Sequence, residues 1–277
     1  MGEAPKSAMG SDFGHYDANY KNFGSELYAE LRREAYGGDM GQTSWISTDE
    51  QDRTVAMLNL SPGKILLDVA CGSGGPALRI AERTGCSIVG VDVHKDGVAN
   101  GNSLAAQRGM GERAKFQVAD ATAQMPFPDE SFDAITCIDA INHMDDRPRV
   151  IAQFARLLKL GGRLLFTDPV TVTGPLTKEE MTIRSSIGFF LFVPAGYDQR
   201  VIEETGHLKL LLSEDVTENM ATIARSRGTV RAARADALRQ IEGDETYEKQ
   251  QRFFEVAARI ARERRLSRFL YVAEKAG

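Results

Sequence analysis

The sequence predicts an α/β fold, a mostly parallel sheet with helices on both faces, and three observations predict it. Short apolar runs alternate with helical stretches, the order that builds parallel strands joined by crossover helices. The first run, KILLDVA, is continuously apolar, as in a strand buried on both faces. It ends in a glycine cluster that opens a helix. At 277 residues the chain can bury one sizeable core, so one domain with insertions is expected.

The elements follow in order. Residues 13–51 read as helical and polar-aromatic, punctuated by Gly37, Gly38 and Gly41. Residues 1–50 are therefore expected to form a tail and a helical lid, the first dozen residues being a loose tail. A helix is predicted from Thr48, an N-cap candidate with Gln51 three residues on, to about Leu60, where Ser61-Pro62-Gly63 stops it. Strands are predicted at 64–70, 87–91, 114–118, 132–138 and 163–167, with helices at 75–84, 97–108 and 147–160 between them. After Asp168-Pro169 the pattern loosens. A cap insertion is expected at about 170–205, a strand-like run follows at 207–217, and a second insertion at about 213–265 is dominated by one long charged helical stretch. The closing strand is RFLYVA, 268–273, which completes a main domain of 51–277. An insertion between the two final strands sits over the carboxyl ends of the strands, where open α/β sheets bind ligands.

Composition narrows the function. A net charge of −5, with acids and bases mixed throughout, argues against a nucleic-acid footprint and for small-molecule chemistry. Cys71, Cys86 and Cys137 are odd in number and lack paired spacing, which fits a reducing cytoplasm. No run approaches the roughly 18 apolar residues of a membrane span. The four histidines form no cluster with ligand spacing, so no metal is expected.

The chemistry concentrates at strand ends. In LLDVACGSGGPAL, Gly72 and Gly74 let the backbone turn sharply and approach a ligand, and the following helix amino terminus suits an anionic group. The spacing from Gly72 to Ala77 also satisfies G-x-G-x-x-A, so the loop alone does not separate a dinucleotide from another nucleoside. Asp92, about 20 residues after the loop at the end of IVGVD, can accept ribose hydroxyls. Asp120-Ala121 follows the third strand, where a carboxylate can accept the exocyclic amine of a base.

With these pieces assembled, the sequence resembles the class I S-adenosylmethionine-dependent methyltransferases, and is similar to the subgroup of sarcosine/dimethylglycine, phosphoethanolamine and tocopherol-type enzymes. LLDVACGSGG, IVGVD, VADATAQMPFPDESFD, CIDAINHM, KLGGRLLFTDP and RFLYVAEK carry the resemblance over nearly the whole chain. It implies a Rossmann-like seven-stranded sheet whose last strand is antiparallel and inserted as a hairpin, with S-adenosyl-L-methionine as cofactor. It also implies roles. The methionine carboxylate and amine would meet Asp68, Ala70, Gly72 and Gly74, the ribose Asp92 with Val93, and the adenine Asp120 and Ala121. Ile138 and Asp139 would floor the site near the sulfonium. YDANYKNFG and GGDMGQTSWIS resemble the subgroup's lid, which implies that Tyr16, Gln42 or Ser44 closes over the cofactor. The partner is then a small-molecule methyl acceptor, with a homodimer left open.

Methyl transfer at a sulfonium needs alignment and dryness, and a base only where the acceptor carries a proton to lose. His143 is the best candidate for that base and Asp139 the second. Blander readings stand beside these. Asp68 can be a strand-end acid bonded to its own loop, and His143 a solvent-facing or capping residue. Phe189, Phe190, Phe192 and Tyr197 can be core packing, and ARIARERRLSR a solvated face. Trp45 with Tyr16 or Tyr20 can cage a methylated ammonium or simply pack. The competing functions are a non-catalytic nucleoside-binding module and, behind it, a nicotinamide-dependent oxidoreductase. The acidic balance and the lack of an N/D-P-P-Y/F motif disfavour an RNA or protein substrate.

Overall fold

A computed structural model describes residues 14–277, so the expected loose tail lies outside the described residues. Helices α1 (Gly14–Lys21), α2 (Glu26–Tyr36) and α3 (Thr48–Val55) precede the first strand, β1 (Ile65–Val69). Then come α4 (Gly75–Thr84), β2 (Ser87–Asp92), α5 (Lys95–Gln107), β3 (Ala114–Val118), β4 (Phe132–Ile138) and α6 (Arg147–Leu157). β5 (Leu158–Val172), α7 (Lys178–Arg184), β6 (Val193–Pro194), α8 (Tyr197–Glu204) and β7 (Leu208–Asp215) lead to α9 (Thr217–Ala232), α10 (Ala235–Glu242), α11 (Asp244–Arg262) and β8 (Leu266–Lys275).

The sheet runs β3-β2-β1-β4-β5-β8-β7, with the two-residue β6 beside β5. Seven strands make the main order as expected, and β6 is an addition too short for any periodicity to reveal. β8 pairs antiparallel with both β5 and β7, so the last strand is inserted between its neighbours. The chain steps from β1 outward to β2 and β3, then returns to place β4 on β1's other side. That reversal opens a crevice at the carboxyl ends of β1, β2 and β4, where such sheets take ligands.

Alternate residues of the buried strands feed two cores. Leu67, Val69, Ile135 and Phe166 pack under Val150, Ile151 and Phe154 of α6 and Ile202 of α8. Leu66, Ile88 and Leu165 pack under Leu78 and Ala81 of α4 on the opposite face. A third cluster joins Tyr36 and Trp45, ahead of the sheet, to Met220, Ala224, Phe253 and Phe254 of α9 and α11. The N-terminal segment is thereby built into the late insertion, and together they cover the strand ends.

Three boundaries differ from expectation. α3 is capped by Ser47, whose side chain accepts the Glu50 N–H, and it gives way to a short 3-10 turn at Ala56–Leu58 before Leu60. β5 extends through Asp168-Pro169 because it pairs with β8 beyond that point. The 218–265 stretch is three helices, broken near Ala233 and at Gly243, which has φ 82°.

Candidate functional site

Two side-chain-bearing residues turn the chain sharply at adjacent strand ends. Ala70 after β1 has φ 55° and Asp139 after β4 has φ 53°, a left-handed conformation that is costly outside glycine and concentrates at functional sites. Both line one cleft, of about 1040 Å³ including its open mouth. The same cleft takes in Asp92 and Val93 after β2, Asp120 and Ala121 after β3, Ile138, and Tyr16, Ser44 and His143. Ten of the residues expected to bind cofactor or handle protons therefore meet in one place.

The glycine loop continues from Ala70 but lies outside the cleft lining, with Tyr20 over Gly72 and Phe116 over Gly74. Gly72 and Gly74 have φ 54° and 70°, and a Cβ on Gly74 would stand 2.5 Å from the Phe116 ring. The Gly72 N–H donates to Asp92 Oδ2 and the His94 N–H to Oδ1, both at 2.8 Å. Each Asp92 oxygen thus keeps acceptor capacity for one further donor. Burial lifts the Asp92 carboxyl above its ordinary range, against these two backbone bonds. Asp120 Oδ1 closes a local turn, accepting the Thr122 N–H at 2.8 Å and the Thr122 hydroxyl at 2.7 Å. A nucleoside fits this set: paired acceptors at the β2 end and an acid at the β3 end.

Besides Gly72 and Gly74, Asp68 and Gln42 are expected residues that the cleft lining does not include. Asp68 is outside the cleft lining and accepts a hydrogen bond from Thr136 Oγ1 at 2.7 Å, across the β1–β4 register rather than within its own loop. Burial pushes its carboxyl up to about 7, with the Thr136 bond opposing and Asp92 adding to the rise. Gln42 turns into its own segment, accepting the Met40 N–H at 2.7 Å and donating to the Gly38 carbonyl at 3.1 Å. It braces the loop that Ser44 and Thr43 present to the cleft.

Asp139 and His143 differ in their freedom. Asp139 Oδ2 accepts the Trp45 N–H at 2.7 Å, and Oδ1 accepts from Thr167 Oγ1 at 2.8 Å and Arg268 Nε at 2.7 Å. His143 Nδ1 lies 2.8 Å from the Phe189 carbonyl and Nε2 lies 3.1 Å from Tyr16 Oη. Because a carbonyl only accepts, the neutral ring carries its proton on Nδ1, and Nε2 accepts from the Tyr16 phenol. Burial drives the imidazole down to about 4 and the Tyr16 phenol up to about 12. The capping reading of His143 gives way to a half-buried pair with Tyr16.

Sequence reasoning passed over cleft residues such as Thr43 and His94, and offered Tyr20 only as a cage or packing residue. Tyr20 packs on Tyr16 with ring centroids 6.2 Å apart, and its hydroxyl stands over Gly72. His94 meets Asp17 of α1 at 2.7 Å, tying α1 down beside the β2 end. The four-residue spacing of Tyr16 and Tyr20 on one helix face was the available signal. Trp45 packs on Phe253 and Phe254 instead of joining a cage with Tyr16 or Tyr20. Phe189 lines the cleft, while Phe190 and Phe192 pack against the apolar side of α11 and Tyr197 against the α6 core. In ARIARERRLSR, Arg262 and Arg264 are exposed as a solvated face, Arg259 and Arg265 grip Glu180, and Arg268 is fully buried.

Comparison with known proteins agrees with this geometry. A family model described as a methyltransferase domain matches residues 67–166. The chain is 31% identical over 229 residues to 27-O-demethylrifamycin SV methyltransferase of Amycolatopsis mediterranei, covering 81% of this chain and 82% of that one. It is 30% identical over 220 residues to phosphoethanolamine N-methyltransferase 1 of Zea mays, covering 79% of this chain and 42% of the maize protein. A sarcosine dimethylglycine methyltransferase structure from Galdieria sulphuraria shares the fold, with a TM-score of 0.75 at 20% identity over 82% of this chain and 84% of that one. These findings give no support to the oxidoreductase or the non-catalytic reading. The strand-end cleft, the glycine loop and the extent of the Amycolatopsis match together place this chain in the S-adenosylmethionine-dependent methyltransferase family.

Proposed function

We propose that the chain methylates a small metabolite enclosed beneath residues 14–46, which act as a lid, and that His143 and Tyr16 receive the acceptor's proton. The observation that carries this is the single cleft in which the nucleoside-binding strand ends meet the Tyr16–His143 pair. When bound, S-adenosylmethionine supplies a methyl group on a cationic sulfonium. Gly72, Gly74 and Ala70 would pass along its methionine part, Asp92 with Val93 would take the ribose, and Asp120 with Ala121 the adenine. Asp68 would contribute from beneath the loop.

The chain's own residues then align, exclude water and move a proton. A hydroxyl acceptor at Tyr16 Oη loses its proton to that oxygen as the phenol proton passes to His143 Nε2, and the Phe189 carbonyl stays on Nδ1–H. Burial keeps the imidazole unprotonated at neutral pH, the form that accepts a proton, while lowering its basicity. We assign this role to His143 over Asp139, whose carboxylate already holds Trp45, Thr167 and Arg268 in place. Among the described residues no helix is long and apolar enough to cross a membrane. We place the enzyme in the cytoplasm, where its three buried free thiols stay reduced, and sedimentation decides between a monomer and a homodimer.

Calorimetric titration with S-adenosylmethionine, S-adenosylhomocysteine and NADH tests the reading. The first two are expected to bind and NADH is not, and Asp92→Ala is expected to weaken both by at least tenfold. Binding of NADH alone would overturn it.

A further inference from the structure

One end of the cleft is left over once the ends of β1, β2 and β3 are assigned to a nucleoside. Around the Tyr16 phenol and the His143 imidazole it is walled by Ala140 and Met144 after β4 and by Ile187, Gly188 and Phe189 after α7. All five are apolar or carry no side chain. The segment after α7 is fastened to the residues that follow β4. The Leu191 N–H donates to the Asn142 carbonyl at 2.8 Å, and the Phe189 carbonyl meets His143 Nδ1 at 2.8 Å. Gly188, at φ 151°, makes the turn into these bonds in a backbone region that glycine enters at little cost, and a Cβ there would stand 3.7 Å from Nδ1.

Phe189 stands apart from its neighbours. Phe190 and Phe192 are half-buried against the apolar side of α11, and Phe190 also meets the His143 ring edge-on, with centroids 4.8 Å apart. Phe189 is 39% exposed, joins no core cluster, and is the only aromatic among the large apolar side chains left exposed in the described residues. Apolar surface at the rim of a cleft gains when a ligand removes it from water, and a ring gains most against another ring. Charge points the same way. The Asp139 carboxylate at this end is already taken up by Arg268, Thr167 and the Trp45 N–H. An ammonium or a carboxylate held beside Phe189, Met144 and Ile187 would shed its hydration among apolar walls, which is unfavourable without a partner.

We propose that Phe189 sets acceptor specificity: its ring, with Met144 and Ile187, receives the apolar body of an uncharged phenol or alcohol, and acceptors with a charge close to the hydroxyl are disfavoured. One residue then serves two steps. Its ring meets the acceptor, and its carbonyl keeps the imidazole proton on Nδ1, with Nε2 turned toward Tyr16. The inference rests on the methyltransferase reading of the cleft and narrows its substrate class.

The protein saturated with S-adenosylhomocysteine is titrated by calorimetry with 4-ethylphenol, tyramine and 4-hydroxyphenylacetate, phenols of similar size that are neutral, cationic and anionic at neutral pH. 4-Ethylphenol is expected to bind at least tenfold more tightly than either of the others. Phe189→Ala should weaken 4-ethylphenol at least tenfold with S-adenosylhomocysteine affinity held within twofold, and Phe189→Leu should recover part of the loss. Equal affinities, a preference for a charged probe, or no binding of any probe to the unaltered protein that holds S-adenosylhomocysteine overturns the proposal, whatever the variants do. Unchanged 4-ethylphenol affinity in a Phe189→Ala protein that still binds S-adenosylhomocysteine overturns it as well. Failure of S-adenosylhomocysteine itself to bind the unaltered protein would instead strike the methyltransferase reading.

Discussion

His143 holds a neutral imidazole in a half-buried place, and that has a signed consequence for stability. Its folded value of about 4 lies below the ordinary 6.5, so between these the folded state binds fewer protons than the unfolded chain. The stability it contributes is full above about pH 6.5 and is lost as pH falls toward 4. Asp68 acts in the opposite sense, because its raised value near 7 contributes stability at low pH that is lost as pH rises through neutrality. The two oppose each other in the unaltered protein, so the informative quantity is a difference. Thermal midpoints of wild type and His143→Gln are expected to converge as pH is lowered from 6.5 to 4. Parallel curves would show that the imidazole is not held neutral by the fold. At neutral pH, Tyr16→Phe and His143→Gln should each lower turnover of a hydroxyl acceptor by about 10²–10⁴-fold, the usual range for general acid–base help.

At the scale of elements, the loop before α3 is pressed onto the start of α4. A Cβ on Gly75 would stand 1.7 Å from the Met40 carbonyl oxygen, a backbone atom that cannot rotate aside. Gln42 braces residues 38–42, so Gly75→Ala must move that loop as a unit, carrying Thr43 and Ser44 with it. A lower thermal midpoint and at least tenfold weaker S-adenosylhomocysteine binding by calorimetry are expected. Gly111→Ala, whose Cβ would meet only Ala106 at 3.9 Å, should change neither. The strands were legible as elements because each apolar run ends at a glycine, an acid or a turn. Most of the cap was less so, since α9 lacks a clean polar face and its partners are far away in sequence. Gly243 was a visible breaker within the supposed single helix.

At the scale of the molecule, Arg268 ties three distant parts together. Its guanidinium in β8 holds Glu50 of α3 and Asp139 at the end of β4, while Glu50 and the Trp45 carbonyl both receive Asn219 of α9. Removing one partner of a buried ion network leaves the others charged and unpaired, which costs about 3–5 kcal/mol. Arg268→Met is expected to lose about that much in urea denaturation, and adding Glu50→Gln should return part of it. A loss below 1 kcal/mol would mean that water reaches the network.

The sequence by itself determined the local order: strand, glycine loop, helix, and acids at spacings set by strand length. Those features specify a nucleoside site because backbone turns and strand ends are local consequences of residue type. From them the sheet and a nucleoside site at Asp92 and Asp120 were legible, and the family resemblance those motifs carry supplied the cofactor and most of the other cleft residues. Only the tertiary structure decided which charges are compensated. Tyr16 meets His143 across 127 positions, Arg268 meets Glu50 across 218, and Arg184 forms no ion pair among the described residues. Electrostatic pairing falls off with distance in space, and a chain written in one dimension does not carry that distance.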